Sequence, residues 1–287
     1  MLQDIMPLTF HNEYKQKKAS TQSKVFHFKG KEVYVARDEE NHLKLPRYEE
    51  LGSMEAFGSM EKLQFLFSIE EEDYFLLTSA EVLPEQGDYH YESVRTLRQL
   101  VSKEVCFAVM TAYHLYMWYG DNRYCGRCGK ETMHDTKERM LRCPTCGNMI
   151  YPKIAPAVIV ALTDGDRILM TKYAGREYKR YALIAGFTEI GETVEETVAR
   201  EVMEEVGLKV KNIHYYKSQP WGVDSNLLLG FFAQLDGDDT IHRDETELAE
   251  AEWFERNQMP AHDDGISLTR EMMGVFERGE EKCLFGK

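Results

Sequence analysis

The hydrophobic pattern of the second half of the chain alternates between the periods of strands and helices. A continuous apolar run from Ala155 to Leu162 predicts a buried strand, and residues 167–172 resume as its hairpin partner after the turn Asp164-Gly165-Asp166. Further strands are predicted over residues 181–185, 210–219 and 227–235, and helices over residues 193–206 and 266–278. This alternation predicts one α+β domain over residues 151–287.

The first 90 residues have shorter and less regular patterns. Residues 25–28 and 32–36 alternate around the turn Lys29-Gly30-Lys31, which predicts a hairpin, and residues 63–69 and 74–78 predict two more strands. We expect a small β-rich domain over residues 1–90.

Between these halves, the pattern has the period of a helix. From Tyr91 to Tyr119 apolar residues recur every three or four positions, which predicts an amphipathic helix of about eight turns. This connecting helix, over residues 91–120, could join the two halves, pack against a second subunit or be buried within its own chain. Periodicity alone does not choose among these.

Composition and charge limit the classes of function. The chain has 287 residues, enough for two domains, and a net charge of -14, with acid concentrated over residues 236–255. This charge argues against tight non-specific binding of nucleic acid, but a small anionic substrate needs only a local positive or metal-bearing pocket. The N-terminus lacks a basic region followed by an apolar stretch, and no apolar run approaches about 18 residues, so we expect a cytoplasmic location.

Four of the six cysteines form one array of two Cys-x-x-Cys pairs, with fourteen residues between the pairs. Each pair is followed by a glycine, as in the tight knuckles of zinc ribbons, so the array predicts a zinc ribbon over residues 121–150. Disulfides and a dithiol redox pair are the alternatives. Because all four ligands come from the protein, we expect the zinc to be structural. The four residues are Cys125, Cys128, Cys143 and Cys146.

A dense set of carboxylates follows Gly186. If residues 193–206 form a helix, Glu201, Glu204 and Glu205 project from one face, where their charges would raise one another's pKa unless a cation neutralises them. Oxygen-only ligands of this kind suit Mg²⁺ or Mn²⁺. Gly207 is placed to end the helix in a left-handed cap. The alternative is an acidic helix face that is simply solvated.

The segment from Gly186 to Leu208 matches, position by position, the pattern Gly-x5-Glu-x7-Arg-Glu-U-x-Glu-Glu-x-Gly-U, where U is apolar. The chain therefore resembles the Nudix hydrolases. This resemblance implies an α/β/α sandwich that hydrolyses a nucleoside diphosphate linked to another moiety, with water as the nucleophile.

By motif position, the resemblance implies specific roles for the box residues. Glu201 and Glu205 would be the principal metal ligands, and Glu204 a ligand or a water-activating carboxylate. Arg200 would be the structural partner of a box carboxylate. The same match places Glu192 among the catalytic residues. Outside the box, the resemblance also implies that Ala185 and Glu247 belong to the metal site. For Glu247 a solvated acidic helix is the alternative, and which carboxylate acts as the base stays open.

Three further features are similar to the NADH pyrophosphatase branch of this family. They are a zinc ribbon directly before the Nudix domain, the stretch Tyr151-Pro-Lys-Ile-Ala-Pro156, and Ser218-Gln219-Pro220-Trp221. The similarity implies that NADH or NAD⁺ is split into nicotinamide mononucleotide and AMP by a homodimer. ADP-ribose and the 5' end of NAD-capped RNA are related substrates, and a nucleotide-sensing regulator that uses the ribbon to contact a partner is the alternative.

The same branch implies a set of substrate contacts. Tyr151 and Phe187 would flank a base of the dinucleotide, although isolated aromatics more often belong to a core. Glu138 and Arg98 would contact substrate, with a solvated glutamate and a surface salt bridge as the alternatives. The predicted contacts after the box are Gln219, Pro220 and Trp221.

The chain departs from the branch directly after Trp221. Gly222-Val223-Asp224 stands where the branch has Pro-Phe-Pro. We expect a stacking surface to be lost and the order of the loop to fall, because two rigid prolines and an aromatic are replaced. Asp224 near a diphosphate would repel it unless it binds metal or a ribose hydroxyl. The preferred dinucleotide therefore stays open, while every box residue is present.

Overall fold

The computed structural model describes residues 1–37, 42–51, 63–79, 81–85, 87–97, 100–175, 180–260 and 265–286. The chain divides into two compact units. The N-terminal unit comprises Gln3–Lys153 and Trp221–Ser225, and the C-terminal unit comprises Met1–Leu2, Ile154–Pro220 and Asn226–Lys287. In the described part of the chain, no helix combines the length and the apolar character that a membrane span requires.

The N-terminal unit contains three small sheets. Two are four-stranded, with the orders β1-β6-β7-β2 and β3-β4-β5, the latter with β8 paired to β4; the third has the order β11-β10-β9. The predicted hairpin is confirmed only next to its turn, where Phe28 pairs antiparallel with Val33. Residues 25–26, predicted to belong to its first strand, pair instead with β7 in the other sheet. The strands are β1 (Phe10–His11), β2 (Lys24–Phe26), β3 (Phe28–Lys29), β4 (Glu32–Arg37), β5 (Leu43–Lys44), β6 (Leu63–Ile69), β7 (Glu72–Leu77), β8 (Tyr89–Ser93), β9 (Met133–His134), β10 (Leu141–Arg142) and β11 (Met149–Ile150).

The helices of this unit are α1 (Tyr48–Leu51), α2 (Val94–Leu97) and α3 (Lys103–Asp121). The prediction of one continuous helix from Tyr91 is wrong at its start. Tyr91 pairs with Tyr34 across β8 and β4, and its hydroxyl lies 2.7 Å from the ring Nδ1 of His27. Because residues 89–93 form a strand paired with β4, the long helix begins only after Ser102, and it has 19 residues.

One face of α3 is buried within its own unit. Phe107 contacts Phe10 edge to face, and Tyr113 makes a similar contact with Phe28. Cys106 is buried, as expected for a core residue. Of the three arrangements open for this helix, the structure shows burial within its own chain.

The C-terminal unit is built on a six-stranded sheet. The strand order is β15-β16-β12-β13-β17, with β14 paired to β12. The central pair, β12 and β16, is parallel, while β13 and β14 run antiparallel to β12. The strands are β12 (Ala155–Asp164), β13 (Arg167–Tyr173), β14 (Ile184–Phe187), β15 (Val210–Trp221), β16 (Asn226–Leu235) and β17 (Leu248–Glu255), and the helices are α4 (Val194–Val206) and α5 (Leu268–Glu277).

Alternate residues of β12 enter two separate hydrophobic cores. Val158 and Val160 pack in the cluster that contains Val198 and Val202 of α4. Ile159 and Ala161 instead join the cluster that contains Met272 of α5, together with Leu268 and Phe276. Because successive side chains of a strand point to opposite faces, α4 and α5 cover opposite sides of the sheet. The predicted α/β/α sandwich is confirmed.

The box helix is capped at both ends by its own sequence. Thr193 accepts a hydrogen bond from the backbone N–H of Glu196, whose carboxylate accepts one in return from the backbone N–H of Thr193. Gly207 ends the helix in the left-handed conformation, with φ of 71°, as predicted. A carboxylate near the first turn also favours the helix dipole. These caps fix the position of α4 along the sheet.

We predict that Thr193→Ala weakens α4 by about 1 kcal/mol, because the side-chain acceptor of the capping box is removed. Protection of the α4 amides against hydrogen exchange should fall about fivefold. Thr193→Ser, which keeps the hydroxyl, is the matched control and should retain most of the protection. Equal losses in the two variants would contradict the role of the hydroxyl.

Candidate functional site

The three box glutamates differ strongly in exposure. Glu205 is 2% exposed and Glu201 is 9% exposed, whereas the side chain of Glu204 is 58% exposed. Their spacing along α4 puts them on one side of the helix, as predicted. Of these three box acids, two are therefore buried and one is open to solvent.

Arg200 binds most of the acidic groups of the box. Its guanidinium makes two bonds to Glu192, from Nε to Oε1 at 2.7 Å and from Nη2 to Oε2 at 2.9 Å. Nη1 donates to Glu201 at 2.7 Å and to Glu204 at 2.9 Å, and Nη2 also donates to the carbonyl oxygen of Phe187. The predicted role of Arg200 as partner of a box carboxylate thus extends to three carboxylates and to the backbone of β14.

The surroundings shift the pKa values of these carboxyls in opposite directions. The bond from Arg200 lowers the pKa of Glu192 to about 2, helped by the Glu189 N–H and the Thr197 hydroxyl. Burial raises the pKa of Glu201 above its usual value, although Arg200 acts against this shift. The ionised form of Glu192 is therefore stabilised, whereas burial makes the ionised form of Glu201 energetically unfavourable.

Gly186 allows the carboxyl group of Glu201 to reach the backbone of β14. A Cβ atom at position 186 would lie 1.9 Å from the carboxyl carbon of Glu201, so no other residue fits without displacing that group. Ala185 is the preceding residue of β14 and pairs with Ile159 of β12. The strand thus places Ala185 and Gly186 beside α4.

Glu247 lies just before β17, a strand that the sequence patterns did not predict. Its charge is among the causes that raise the pKa of Glu201, and its carbonyl oxygen accepts from the Ala174 N–H. The alternative of a solvated acidic helix at this position is wrong, because residues 248–255 pair with β13. Glu247 therefore lies close enough to the box for its charge to act on Glu201.

The charges of this site fit a divalent cation. Arg200 supplies one positive charge against Glu192, Glu201 and Glu204, and Glu205 and Glu247 add further acid. A buried acid with a raised pKa gains most from a neighbouring cation. The donors are all oxygen atoms, which Mg²⁺ and Mn²⁺ prefer.

The four cysteine thiols form a separate cluster in the N-terminal unit. Their sulfur atoms all lie within 4.8 Å of one another, with Cys125 3.6 Å from Cys146 and Cys128 3.5 Å from Cys143. A tetrahedral zinc with Zn–S bonds of about 2.3 Å requires S···S distances of about 3.8 Å. Within the described residues, no other set of three or more histidines, cysteines or acids has its ligand atoms close enough together to hold a metal ion.

Backbone amides prepare two of these thiols for a metal. The amide of Arg127 lowers the pKa of Cys125 to about 6, and the amide of Cys146 lowers that of Cys143. Gly129 and Gly147 both adopt positive φ, 71° and 72°, where each knuckle closes. A thiolate is the form that binds zinc, so the knuckles fit the ion as the spacing predicts.

Two of the predicted substrate contacts bind each other. Tyr151 donates its hydroxyl to Glu138 at 2.9 Å, and this bond raises the pKa of Tyr151. Tyr151 is 54% exposed, and so is Phe187, which lies at the end of β14. Neither ring is therefore a core aromatic.

Gln219 has a structural position instead of the predicted substrate contact. Its side chain is fully buried, and its amide nitrogen donates to the carbonyl oxygen of Ile266 at 2.8 Å. Its amide oxygen accepts from the Leu268 N–H at 2.8 Å, at the start of α5. Pro220 is exposed, and Arg98 lies outside the described residues.

The segment after Trp221 is not the loose loop that its glycine suggests. Residues 222–224 form a 3-10 turn, and Gly222 is buried against the backbone of α3. Asp224 accepts hydrogen bonds from Trp221 and Arg95. This pairing is not predictable from sequence patterns, because Arg95 is 129 residues from Asp224 and no motif connects them.

Comparison with known protein families gives two matches within this chain. The model described as "NUDIX domain" matches residues 153–273, and the model described as "NADH pyrophosphatase zinc ribbon domain" matches residues 121–151. The first covers the sheet, α4 and the beginning of α5, and the second covers the thiol cluster.

Comparison with individual proteins gives similar relatives over part of the chain. The NAD-capped RNA hydrolase NudC of Pectobacterium atrosepticum is 38% identical over 167 residues, which is 58% of this chain and 64% of that protein. The enzyme of the same name from Shigella boydii is also 38% identical, over 58% of this chain and 65% of that protein. The chain thus spans less than two thirds of either relative.

Among solved structures, a NUDIX hydrolase from Nitrosomonas europaea is similar, with 25% identity and a TM-score of 0.47. The match covers 55% of this chain and 93% of that structure.

We predict that Glu192→Gln destabilises the protein in a pH-dependent way. The pKa of Glu192 is lowered on folding from about 4.5 to about 2, so its contribution is present above about pH 4.5 and is lost as the pH falls toward 2. The difference in melting temperature between wild type and variant should therefore shrink on acidification. Glu189→Gln is the control, because Glu189 takes part only through its backbone. A constant difference across this pH range would contradict the assignment.

We predict one zinc ion per chain, bound by the four thiols. Cys146→Ser should abolish stoichiometric zinc, measured by elemental analysis, and should lower the melting temperature because the metal closes the ribbon. Cys283→Ser is the control, since Cys283 is exposed and lies outside the cluster. Wild-type protein without zinc, or zinc loss in the control, would contradict this prediction.

Proposed function

We propose that this chain hydrolyses the diphosphate bond of a dinucleotide, because the Nudix domain model matches residues 153–273 and the zinc ribbon model of NADH pyrophosphatases matches the residues directly before them. NADH and NAD⁺ are the proposed substrates, and nicotinamide mononucleotide and AMP are the products. The observation that carries this proposal is the cluster of carboxylates around Arg200, whose negative charge exceeds what one guanidinium can neutralise.

The proposed metal is Mg²⁺ or Mn²⁺. When bound, it would polarise the phosphoryl oxygens, position the attacking water and neutralise charge on the leaving phosphate. Glu201 and Glu205 would be its principal ligands, and Ala185 and Glu247 would supply further ligand positions. Glu204, the most exposed of the three box acids, suits either a ligand or a group that accepts a proton from water.

Arg200 would keep this site assembled without acting on the substrate. Its bidentate pairing with Glu192 anchors the guanidinium, which leaves Nη1 to orient Glu201 and Glu204. The bond from Nη2 to the Phe187 carbonyl oxygen ties the same guanidinium to β14. Glu192 thus contributes to catalysis by fixing Arg200.

The proposed base contacts are aromatic residues, of which Tyr151 and Phe187 are exposed and Trp221 is partly buried. Tyr151 and Phe187 present rings that can stack on a flat heterocycle, and the bond to Glu138 fixes the Tyr151 hydroxyl. Trp221 is the third aromatic contact. Pro220 stays among the proposed contacts because it is exposed.

NAD-capped RNA is a further proposed substrate. The relatives named above are NAD-capped RNA hydrolases, and the diphosphate cut in free NAD⁺ is the same bond in the cap. The net charge of -14 argues that recognition is confined to the cap and the nucleotides next to it. A homodimer and a cytoplasmic location complete the proposal.

The proposal predicts turnover that depends on Glu205. Purified protein with Mg²⁺ or Mn²⁺ should release AMP from NADH or NAD⁺, and chromatography separates the products. ADP-ribose and NAD-capped RNA are tested as further substrates. Glu205→Gln should lower kcat/KM at least about 100-fold, because a metal ligand contributes several kcal/mol to the transition state. Glu195→Gln, on an exposed position of the same helix, is the matched control.

The outcomes separate the proposed enzyme from its alternative. Retained activity in Glu205→Gln would place the metal elsewhere. Nucleotide binding without turnover of any substrate would instead indicate a nucleotide-sensing regulator.

A further inference from the structure

The carboxylate of Asp224 connects two side chains that are far apart in sequence. The indole Nε1 of Trp221 donates to Oδ2 at 3.1 Å, and Nη2 of Arg95 donates to Oδ1 at 3.4 Å. All three residues belong to the N-terminal unit. Both carboxylate oxygens are therefore occupied by donors from the protein.

The turn that carries Asp224 rests directly on α3. A Cβ atom at position 222 would lie 2.1 Å from the carbonyl oxygen of Met110 and 3.3 Å from the Cβ of His114. Only glycine allows this approach. The turn closes where the Ser225 N–H meets the Gly222 carbonyl oxygen, with Ser225 in the left-handed conformation at φ of 58°.

The helix beneath the turn is itself well fixed. Met110 is 3% exposed, and the Nε2 atom of His114 lies 2.7 Å from the carbonyl oxygen of Lys153. The turn therefore stands on a buried part of α3. A carboxylate held on such a support can determine where its partner side chain lies.

The bond to the indole N–H is the one that orients Trp221. Indole has a single donor, at the edge of the ring, so a fixed acceptor restricts the plane of the ring and leaves its faces to other contacts. The ion pair with Arg95 contributes less, because the side chains are 65% and 49% exposed and their attraction is screened.

We propose that Asp224 is a positioning residue that fixes the Trp221 ring so that it stacks on a base of the dinucleotide. This inference rests on the proposed function, in which Trp221 contacts substrate. It assigns a role to the departure at residues 222–224: glycine permits the docked turn, and the acid orients the aromatic residue that precedes it. Asp224 acts through Trp221 and has no contact with the diphosphate in this role.

Kinetics test the positioning role. Asp224→Ala should raise KM for NADH about 3- to 10-fold, the loss expected for one hydrogen bond to a partly exposed acceptor, while kcat changes less than about twofold. Asp224→Asn keeps an oxygen that can accept from the indole and should recover part of the effect. Asp236→Ala, which removes an exposed acid paired with Lys211, is the matched control and should leave KM unchanged.

A double-mutant cycle distinguishes action through Trp221 from any direct effect. In a Trp221→Phe background there is no indole N–H, so Asp224→Ala should have no further effect on KM. A second increase of the same size in that background would overturn the proposal, because Asp224 would then act on substrate or fold without Trp221. An unchanged KM in Asp224→Ala alone would overturn it as well.

Fluorescence separates this inference from the proposed function. The Trp221 contribution is the difference between the spectra of the wild type and Trp221→Phe, and the same difference is taken in the Asp224→Ala background. A shift in emission between the two differences, without nucleotide, is expected if Asp224 holds the ring. Absence of a shift would overturn the positioning role. Wild-type protein without turnover of any dinucleotide would refute the proposed function, and the fluorescence result would then decide the placement of Trp221.

Discussion

The bond network of one guanidinium holds the acidic site of this protein together. Arg200 lies between carboxylates that would otherwise repel one another, and it joins the loop before α4, the helix itself and the end of β14. The two bonds to Glu192 are strong because both partners are charged and the fork geometry is satisfied. The helix can therefore carry buried acids, and the remaining negative charge is left to attract a cation.

This arrangement depends on the layers behind it. β12 is buried on both faces, so its alternate side chains support α4 on one side and α5 on the other. Gly186 then lets the Glu201 carboxyl come against the strand at a distance that no side chain would permit. The geometry of the site is thus set by packing, while its chemistry is set by the charges on α4.

The features that the sequence predicted well are those encoded within short stretches. The cysteine spacing and the glycines that follow it define the ribbon locally, and the carboxylates of α4 share a face because a helix repeats every 3.6 residues. The start of α3 was missed because Tyr91 pairs with Tyr34, a contact that periodicity does not reveal. The link between Asp224 and Arg95 is likewise a contact between distant parts of the chain, and nothing in the sequence around either residue indicates it.

Gln219 is a motif residue whose buried side chain bonds to the protein's own backbone. Its amide donates to one backbone carbonyl and accepts from one backbone N–H, so the side chain connects the end of β15 to the start of α5. A glutamate of the same shape would face the Ile266 carbonyl with an oxygen instead of a donor, and burial would make that mismatch costly. Loss of activity on replacing Gln219 would therefore report a failure of assembly, and conservation at this position would measure selection for folding rather than for ligand recognition.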